Sequence, residues 1–409
     1  VTGSGDRHPR LAGERILLFS TADWDTPLPT NKHHIARRLA RKNRVLFVET
    51  LGTRAPRMGD STDWGRIGRR LLRAWDGPVK RAPRLWSLSP LVIPRWSTDF
   101  QAATNRMLFR LSAGSAIAPF ARGIAWVYSP YAVHLLPKSG PRLVVYHMVD
   151  DLAAVPGADA SALRAAEEQL LGRADIVFCT EKSLHDRASR FARRAVHAPN
   201  VADAAHFGDG RDRGGASATL LARLRALPHP RVLFSGNLAS HKIDVDLLEA
   251  LVRARRDIRF VLLGPVWEAD PQAERFRRLR SEPNVLMGGH VAYEELPPFL
   301  HAADALLIPY ARTAATQAVF PLKFFEYAAT GRPIVASEAL QSLRPYGPIC
   351  ALAPNTPEAW SAAIDAALRE TGDRPALRRA VARRNTWDTR LAQMEAAIVP
   401  LLERRPRTQ

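Results

Sequence analysis

Lys323 and Glu326 stand three residues apart in the stretch Phe320-Pro321-Leu322-Lys323-Phe324-Phe325-Glu326-Tyr327-Ala328-Ala329-Thr330-Gly331-Arg332-Pro333, which runs on into the apolar Ile334-Val335-Ala336-Ser337. A proline at the first helical position has no N–H to leave unpaired, and a glycine followed by a proline stops a helix. The stretch therefore predicts a helix of roughly ten residues and then a short buried strand. Spacing of three puts Lys323 and Glu326 on one face, while Phe324, Phe325, Ala328 and Ala329 supply packing surface. A cation, a carboxylate that accepts from hydroxyls, and unpaired N–H groups at a helix start suit the phosphates and ribose of a nucleotide. The same pair also fits a solvated surface ion pair worth roughly 0.2–0.5 kcal/mol. Spacing alone leaves both readings open.

Other residues could also do chemistry. Val144-Val145-Tyr146-His147-Met148-Val149-Asp150-Asp151 ends an apolar run in two carboxylates beside an imidazole. Asp150, then Asp151 and His147, are candidates for a base that takes a proton from an attacking hydroxyl; either aspartate would equally serve as a helix cap. Phe234-Ser235-Gly236-Asn237-Leu238-Ala239-Ser240-His241-Lys242 places a glycine at a strand end, where backbone can approach a pyrophosphate, with a lysine a few residues on. Adjacent His33 and His34 point to different faces of a predicted helix, so no metal site is expected there, and Asp244-Val245-Asp246 reads as a helix cap. Cys179 and Cys350 lie in apolar contexts and read as small buried hydrophobes.

These residues need elements to position them. Apolar runs at 16–20, 45–49, 125–128, 143–147 and 176–179, with helical patterns near 32–42, 101–119, 161–172 and 182–191, predict one βα series. A polar stretch from Ala198 to about 217 reads as a linker. A second series follows, with strands at 232–235, 260–263, 285–287, 305–308 and 334–336. At 409 residues and 46% hydrophobic content the chain is long enough for two globular domains.

The net charge of +19 is unevenly placed: residues 1–200 hold 31 Lys and Arg against 17 Asp and Glu, and residues 31–110 hold 18 against 5. Trp64, Ile67, Leu71, Leu72 and Trp75 form one helical stripe, with Arg66, Arg69, Arg70 and Arg73 at other positions. That pattern fits a helix lying on an anionic membrane face, and it fits equally an amphipathic helix packed on its own domain. Trp86, Leu91, Ile93 and Trp96, between arginines, favour the membrane. No helix-turn-helix, zinc-finger spacing or RNP-type strand turns the charge toward nucleic acid. No apolar run approaches a membrane span and the first residues lack a signal-peptide core, so a cytoplasmic protein peripherally attached to the inner membrane is expected.

The helix at 321–331 resembles the donor-binding helix of GT-B glycosyltransferases, close to the pattern P-x-K-x-x-E-Y-x-A-x-G-x-P-V-V-A of bacterial members of the family 1/4 type. The resemblance covers roughly residues 16–400. It implies an α/β fold of two Rossmann-like doubly wound domains facing a cleft: an acceptor-side domain at 1–205, a nucleotide-sugar-binding domain at 206–385, and a last helix at 386–409 crossing back. It implies donor contacts from Gly236, Asn237, Lys242, Gly264, His290, Val291, Pro321, Leu322, Lys323 and Glu326. The loop holding Asp23, Trp24 and Asp25, with Lys32, His33 and His34 after it, would face the acceptor. Asn237 stands where the family pattern has an arginine, and Ala318 where it has the first glutamate of E-x7-E. Glu168 resembles a family glutamate of structural role. The activity implied is transfer of a sugar from a nucleotide donor, UDP or GDP type, to a lipid-linked or glycan acceptor in envelope or exopolysaccharide synthesis, with neither metal nor cofactor. Rival readings are a sugar-nucleotide epimerase of the same fold and a basic, non-enzymatic protein that binds membranes or nucleic acid. No G-x-G-x-x-G opens a helix, which argues against a dehydrogenase.

Overall fold

The computed structural model describes residues 11–26, 28–52, 76–137, 140–268 and 270–405. The Trp64 to Trp75 stripe, with Arg66, Arg69, Arg70 and Arg73, lies outside the described residues. The chain divides into two compact units: one runs to Pro199 and takes up the chain again from Asp388, and the other is Asn200–Trp387.

The first unit is built on β1 (Arg15–Phe19), β2 (Arg44–Val48), β3 (Val79–Ala82), β4 (Leu85–Leu88), β5 (Ile124–Val127), β6 (Leu143–Met148), β7 (Ile176–Cys179) and β8 (Ala195–His197), in the order β3-β4-β2-β1-β5-β6-β7-β8. All neighbours pair in parallel except β3 with β4. Central strands such as β5 and β6 are buried along their whole length, which is why they read as unbroken apolar runs. β3 escapes that signal because its Val-Lys-Arg-Ala sequence is an exposed, charged edge. Trp96, read from sequence as part of a membrane surface, is instead core: it is 5% exposed and stacks on Tyr131 at 5.1 Å and His134 at 5.9 Å. Trp86 sits half-buried in β4, with the Arg44 guanidinium 5.6 Å from its ring. From Asp388 the last helix, Trp387–Glu403, packs in this unit. Asp388 pairs with Arg38 at 3.2 Å and Arg41 at 2.5 Å, and Arg142 donates to the Leu402 carbonyl at 2.7 Å.

The second unit holds β9 (Arg231–Ser235), β10 (Arg259–Leu263), β11 (Val285–Gly289), β12 (Ala305–Ile308), β13 (Ile334–Ser337) and β14 (Ala351–Ala353), all parallel, in the order β11-β10-β9-β12-β13-β14. The chain winds outward from β9 to β11 and then crosses to β12 on the other side of β9. The strand order thus reverses between β9 and β12, and ligands of open parallel sheets bind beyond the carboxyl ends at such a reversal.

The two units divide at 199/200 and again at 387/388, a few residues from the bounds expected from sequence. The reason is local bonding. Asn200 Nδ2 donates to the Phe320 carbonyl at 2.9 Å, Ala202 bridges Thr386, and a helix at Ala204–Gly208 is capped by Asp203 and buries Phe207. Part of the stretch read as linker is therefore the start of the second unit.

Candidate functional site

Three neighbouring strands of the second sheet end in glycines with positive φ: Gly236 after β9 (φ 138°), Gly264 after β10 (φ 134°) and Gly289 closing β11 (φ 66°). Gly236 N–H donates to the Leu263 carbonyl at 2.8 Å, and Gly264 N–H to that of Gly289 at 2.6 Å. A Cβ on Gly264 would fall onto the Gly236 carbonyl oxygen, so the close approach of these two loops depends on glycine. The result is a shallow backbone ledge beside the reversal point.

The helix facing this ledge spans Leu322–Thr330, with Pro321 as its N-cap in extended conformation and Gly331 (φ 81°) ending it. Proline thus precedes the helix and does not occupy its first turn. No side chain caps the N-terminus, which leaves first-turn N–H groups for a ligand. Rigidity comes from three directions. Phe324 and Phe325 are fully buried in a cluster with Phe320 and Tyr346. The Tyr327 hydroxyl accepts from Ser235 N–H at 2.9 Å, tying the helix to the end of β9. Arg378, 2% exposed, donates to the Gly331 and Ile349 carbonyls and pairs with Glu370 at 2.5 Å. Sequence reading missed Arg378; an arginine inside an arginine-rich helical pattern gives no hint of burial.

Lys323 projects over the ledge. Its Nζ would lie 3.0 Å from a Cβ added at Gly236, donates to the Tyr310 hydroxyl at 2.9 Å, and sits 4.9 Å and 5.0 Å from the ring centroids of Phe234 and Tyr310. Phe234 is the penultimate residue of β9 and Tyr310 follows β12, so the ammonium hangs at the reversal point itself. It is steered by the Tyr310 hydroxyl and the Phe234 ring and, among the described residues, forms no ion pair with a carboxylate. Glu326, half-buried one turn on, has its carboxyl pushed up to about 7, because burial outweighs the pull of Lys323.

Lys242 lies half-buried in the loop after β9. That loop is held by Ser240 N–H to Asp270 at 2.6 Å, by Ile243 N–H to the Ala239 carbonyl at 2.8 Å, and by His241 edge-on to Trp267 at 5.1 Å. Lys242 makes no side-chain ion pair among the described residues. Asn237 and His290 are exposed, Leu322 is half-buried, and Val291 and Pro321 are buried. Ala318 is buried, 7% exposed, at the end of the short helix Ala314–Gln317, so no carboxylate stands there. Asp244 caps the helix Val245–Ala254 through Leu247 N–H at 3.0 Å, as its sequence suggests.

In the first unit the strand order reverses between β1 and β5. Asp150, two residues past β6, is half-buried and makes no side-chain hydrogen bond or ion pair among the described residues. Its two fellow candidates are differently placed. Asp151 pairs with Arg164 at 2.6 Å and Arg187 at 3.0 Å; burial opposes its ionised form, but the two arginines outweigh it and hold the carboxyl below the ordinary range. His147 is 1% exposed, takes Nδ1 to the Tyr128 hydroxyl at 3.0 Å, and is lowered to about 3 by burial and then by Lys32 and Arg390. A sealed imidazole and a doubly paired carboxylate are poor bases; of the three candidates, Asp150 alone lacks such contacts among the described residues. The structural glutamate is Glu167, not Glu168: Glu167 is buried and accepts from Tyr146 at 3.0 Å, whereas Glu168 is exposed.

The loop after β1 is pinned from below. His33 closes a capping box with Thr30, contacts the Asp23 carbonyl at 3.1 Å through Nε2 and packs on Trp24 and Phe47; burial lowers it to about 4. Trp24 N–H donates to Glu49 at 3.1 Å, and Asp25 pairs bidentately with Arg81 at 3.0 and 2.8 Å. Lys32 and His34 are buried. Cys179 and Cys350 are buried free thiols. Among the described residues, no group of three or more His, Cys, Asp or Glu side chains is placed to hold a metal ion. Likewise no described helix is long and apolar enough to cross a membrane.

Residues 229–370, which carry the glycine ledge and the Lys323 helix, match the family model of Glycosyl transferases group 1. The chain is 25% identical over 248 residues to a Bacillus subtilis (strain 168) protein bearing the name of teichuronic acid biosynthesis glycosyltransferase TuaH; the match spans 57% of this chain and 58% of that relative. Among solved structures, sucrose-phosphate synthase from Thermosynechococcus elongatus superposes with a TM-score of 0.69 at 17% identity, over 96% of this chain and 100% of the other. Anabaena Alr3699/HepE in complex with UDP and glucose gives 0.65 at 14% identity, over 94% and 99%. The fold is that of the GT-B glycosyltransferases, as the sequence resemblance implied.

Proposed function

We propose that this protein is a glycosyltransferase that binds a nucleotide-sugar donor on the second unit, with the diphosphate on the Gly236 ledge beneath Lys323 and the ribose hydroxyls against Glu326. The observation that carries this reading is Lys323: an ammonium held by the Tyr310 hydroxyl and the Phe234 ring at the strand-order reversal, without an ion pair to a carboxylate among the described residues and beside an uncapped helix N-terminus. When an acceptor hydroxyl attacks the anomeric carbon, the bond from that carbon to the diphosphate oxygen breaks and negative charge grows on the leaving group. Lys323, Lys242 and the first-turn N–H groups would stabilise that charge, which is the largest contribution a fixed electrostatic site makes. They make a divalent metal unnecessary in this reading. Asp150 would accept the acceptor's proton if the transfer inverts configuration.

The donor is of the UDP or GDP type; the UDP bound by Anabaena HepE favours the former. The acceptor is a lipid-linked or free glycan of envelope or exopolysaccharide synthesis, a reading supported by the name of the Bacillus relative and by the basic excess of the first unit. The test is thermal-shift screening with UDP, GDP, ADP, TDP and their sugar conjugates in the presence of a chelator. A rise with one nucleotide identifies the donor class; no rise with any of them overturns the reading.

A further inference from the structure

We propose that the helix Asp99–Ile117 of the first unit docks on an anionic lipid bilayer surface. This deepens the reading of a lipid-linked acceptor and rests on it only for its purpose. The helix buries one face, Ala102, Asn105, Phe109, Ala113 and Ile117, against its own unit. On the other side Phe100 is 80% exposed, Met107 56% and Leu111 77%. At offsets of seven and eleven residues these three fall within one narrow stripe of the helix. A lone exposed hydrophobe needs no account, but three on one stripe of one helix do.

The surroundings select the occupant. Arg106 and Arg110 are exposed along one flank of the stripe, and neither they nor Arg95, exposed just before the helix, form an ion pair among the described residues. Asp99, at the start of the helix, is its sole acid. Asn105, on the buried face, fixes the preceding segment, accepting from Ile93 N–H at 2.7 Å and donating to the Ile93 and Arg95 carbonyls, and that segment carries the exposed Ile93, 45% exposed, and Arg95. Apolar side chains flanked by unpaired arginines match the acyl boundary and the phosphates of an anionic leaflet. A second copy of the chain fits less well, because residues 1–200 carry 31 basic against 17 acidic side chains and would repel themselves.

The test is co-sedimentation of the full chain with vesicles of phosphatidylcholine, with and without phosphatidylglycerol. The unaltered protein should bind only the anionic vesicles. Phe100→Ser/Met107→Ser/Leu111→Ser and, separately, Arg106→Glu/Arg110→Glu should each weaken that binding at least tenfold, since each arginine near such a surface contributes roughly fivefold. All these positions are exposed, and an unchanged melting temperature and unchanged nucleotide-induced shift would show the fold and the donor site intact. Equal binding by the variants, or no binding by the unaltered protein, overturns the proposal and leaves the donor site untouched. A dimer that the serine variant dissociates would assign the stripe to self-association and overturn it too.

Discussion

Replacing Glu326 by glutamine should make the protein less sensitive to alkaline pH. The Glu326 carboxyl is lifted from an ordinary 4.5 to about 7 by burial. An acid with a raised pKa in the folded state keeps its proton there while the unfolded chain has lost it. Stability therefore falls as pH rises from about 4.5 through about 7, and the loss is complete above that. At about 1.4 kcal/mol per pH unit the interval sets a ceiling of about 3 kcal/mol. Glu326 is partly open to water, and screening brings the figure to roughly 1–2 kcal/mol. Glutamine is neutral at every pH and keeps the shape. Between pH 5 and pH 8 the melting temperature of the unaltered protein should drop by roughly 3–6 °C more than that of Glu326→Gln. Scanning fluorimetry of both proteins across that range reads the difference directly. Parallel curves would refute the reasoning: the carboxyl would then be solvated, and the desolvated ribose contact assigned to it would lose its basis.

Further expectations follow from other contacts. Arg378→Ala leaves Glu370 without its buried partner and frees the Gly331 end of the Lys323 helix; a loss of about 3–5 kcal/mol is expected in denaturant unfolding. Asp150→Asn should lower the turnover number on the order of 100-fold or more with donor KM unchanged, if transfer inverts. An equal turnover would remove Asp150 from the chemistry.

Much of this architecture was legible because parallel strands buried on both faces are apolar throughout. β5, β6, β7, β9, β10 and β12 announced themselves to within a residue or two. β3, β8 and β14 did not, being edge strands of three or four residues with charged or half-exposed side chains. Within the candidate site, Lys323 and Glu326 were readable from helical spacing, and the proline and glycine that frame them from backbone chemistry. The aromatic seat of Lys323 was not. Phe234 and Tyr310 are 76 residues apart in the chain and meet because β9 and β12 are neighbours, a fact of topology that no local pattern carries. The surroundings of His147 and Asp151 were hidden for a related reason. Their neighbours in sequence suggested a strand end open to ligand, while Tyr128, Arg164 and Arg187, all distant in sequence, seal or neutralise them. Trp96 shows the same limit, since a tryptophan between arginines looks interfacial until Tyr131 and His134 are seen to cover it.

The central claim is that Lys323 holds the donor's diphosphate. Isothermal titration of UDP and GDP into the unaltered protein and into Lys323→Met, both in chelator, tests it most directly. The account predicts binding of one nucleotide by the unaltered protein and at least tenfold weaker binding by the variant, because a desolvated charge-assisted contact is lost. Equal affinity in the two proteins would contradict it.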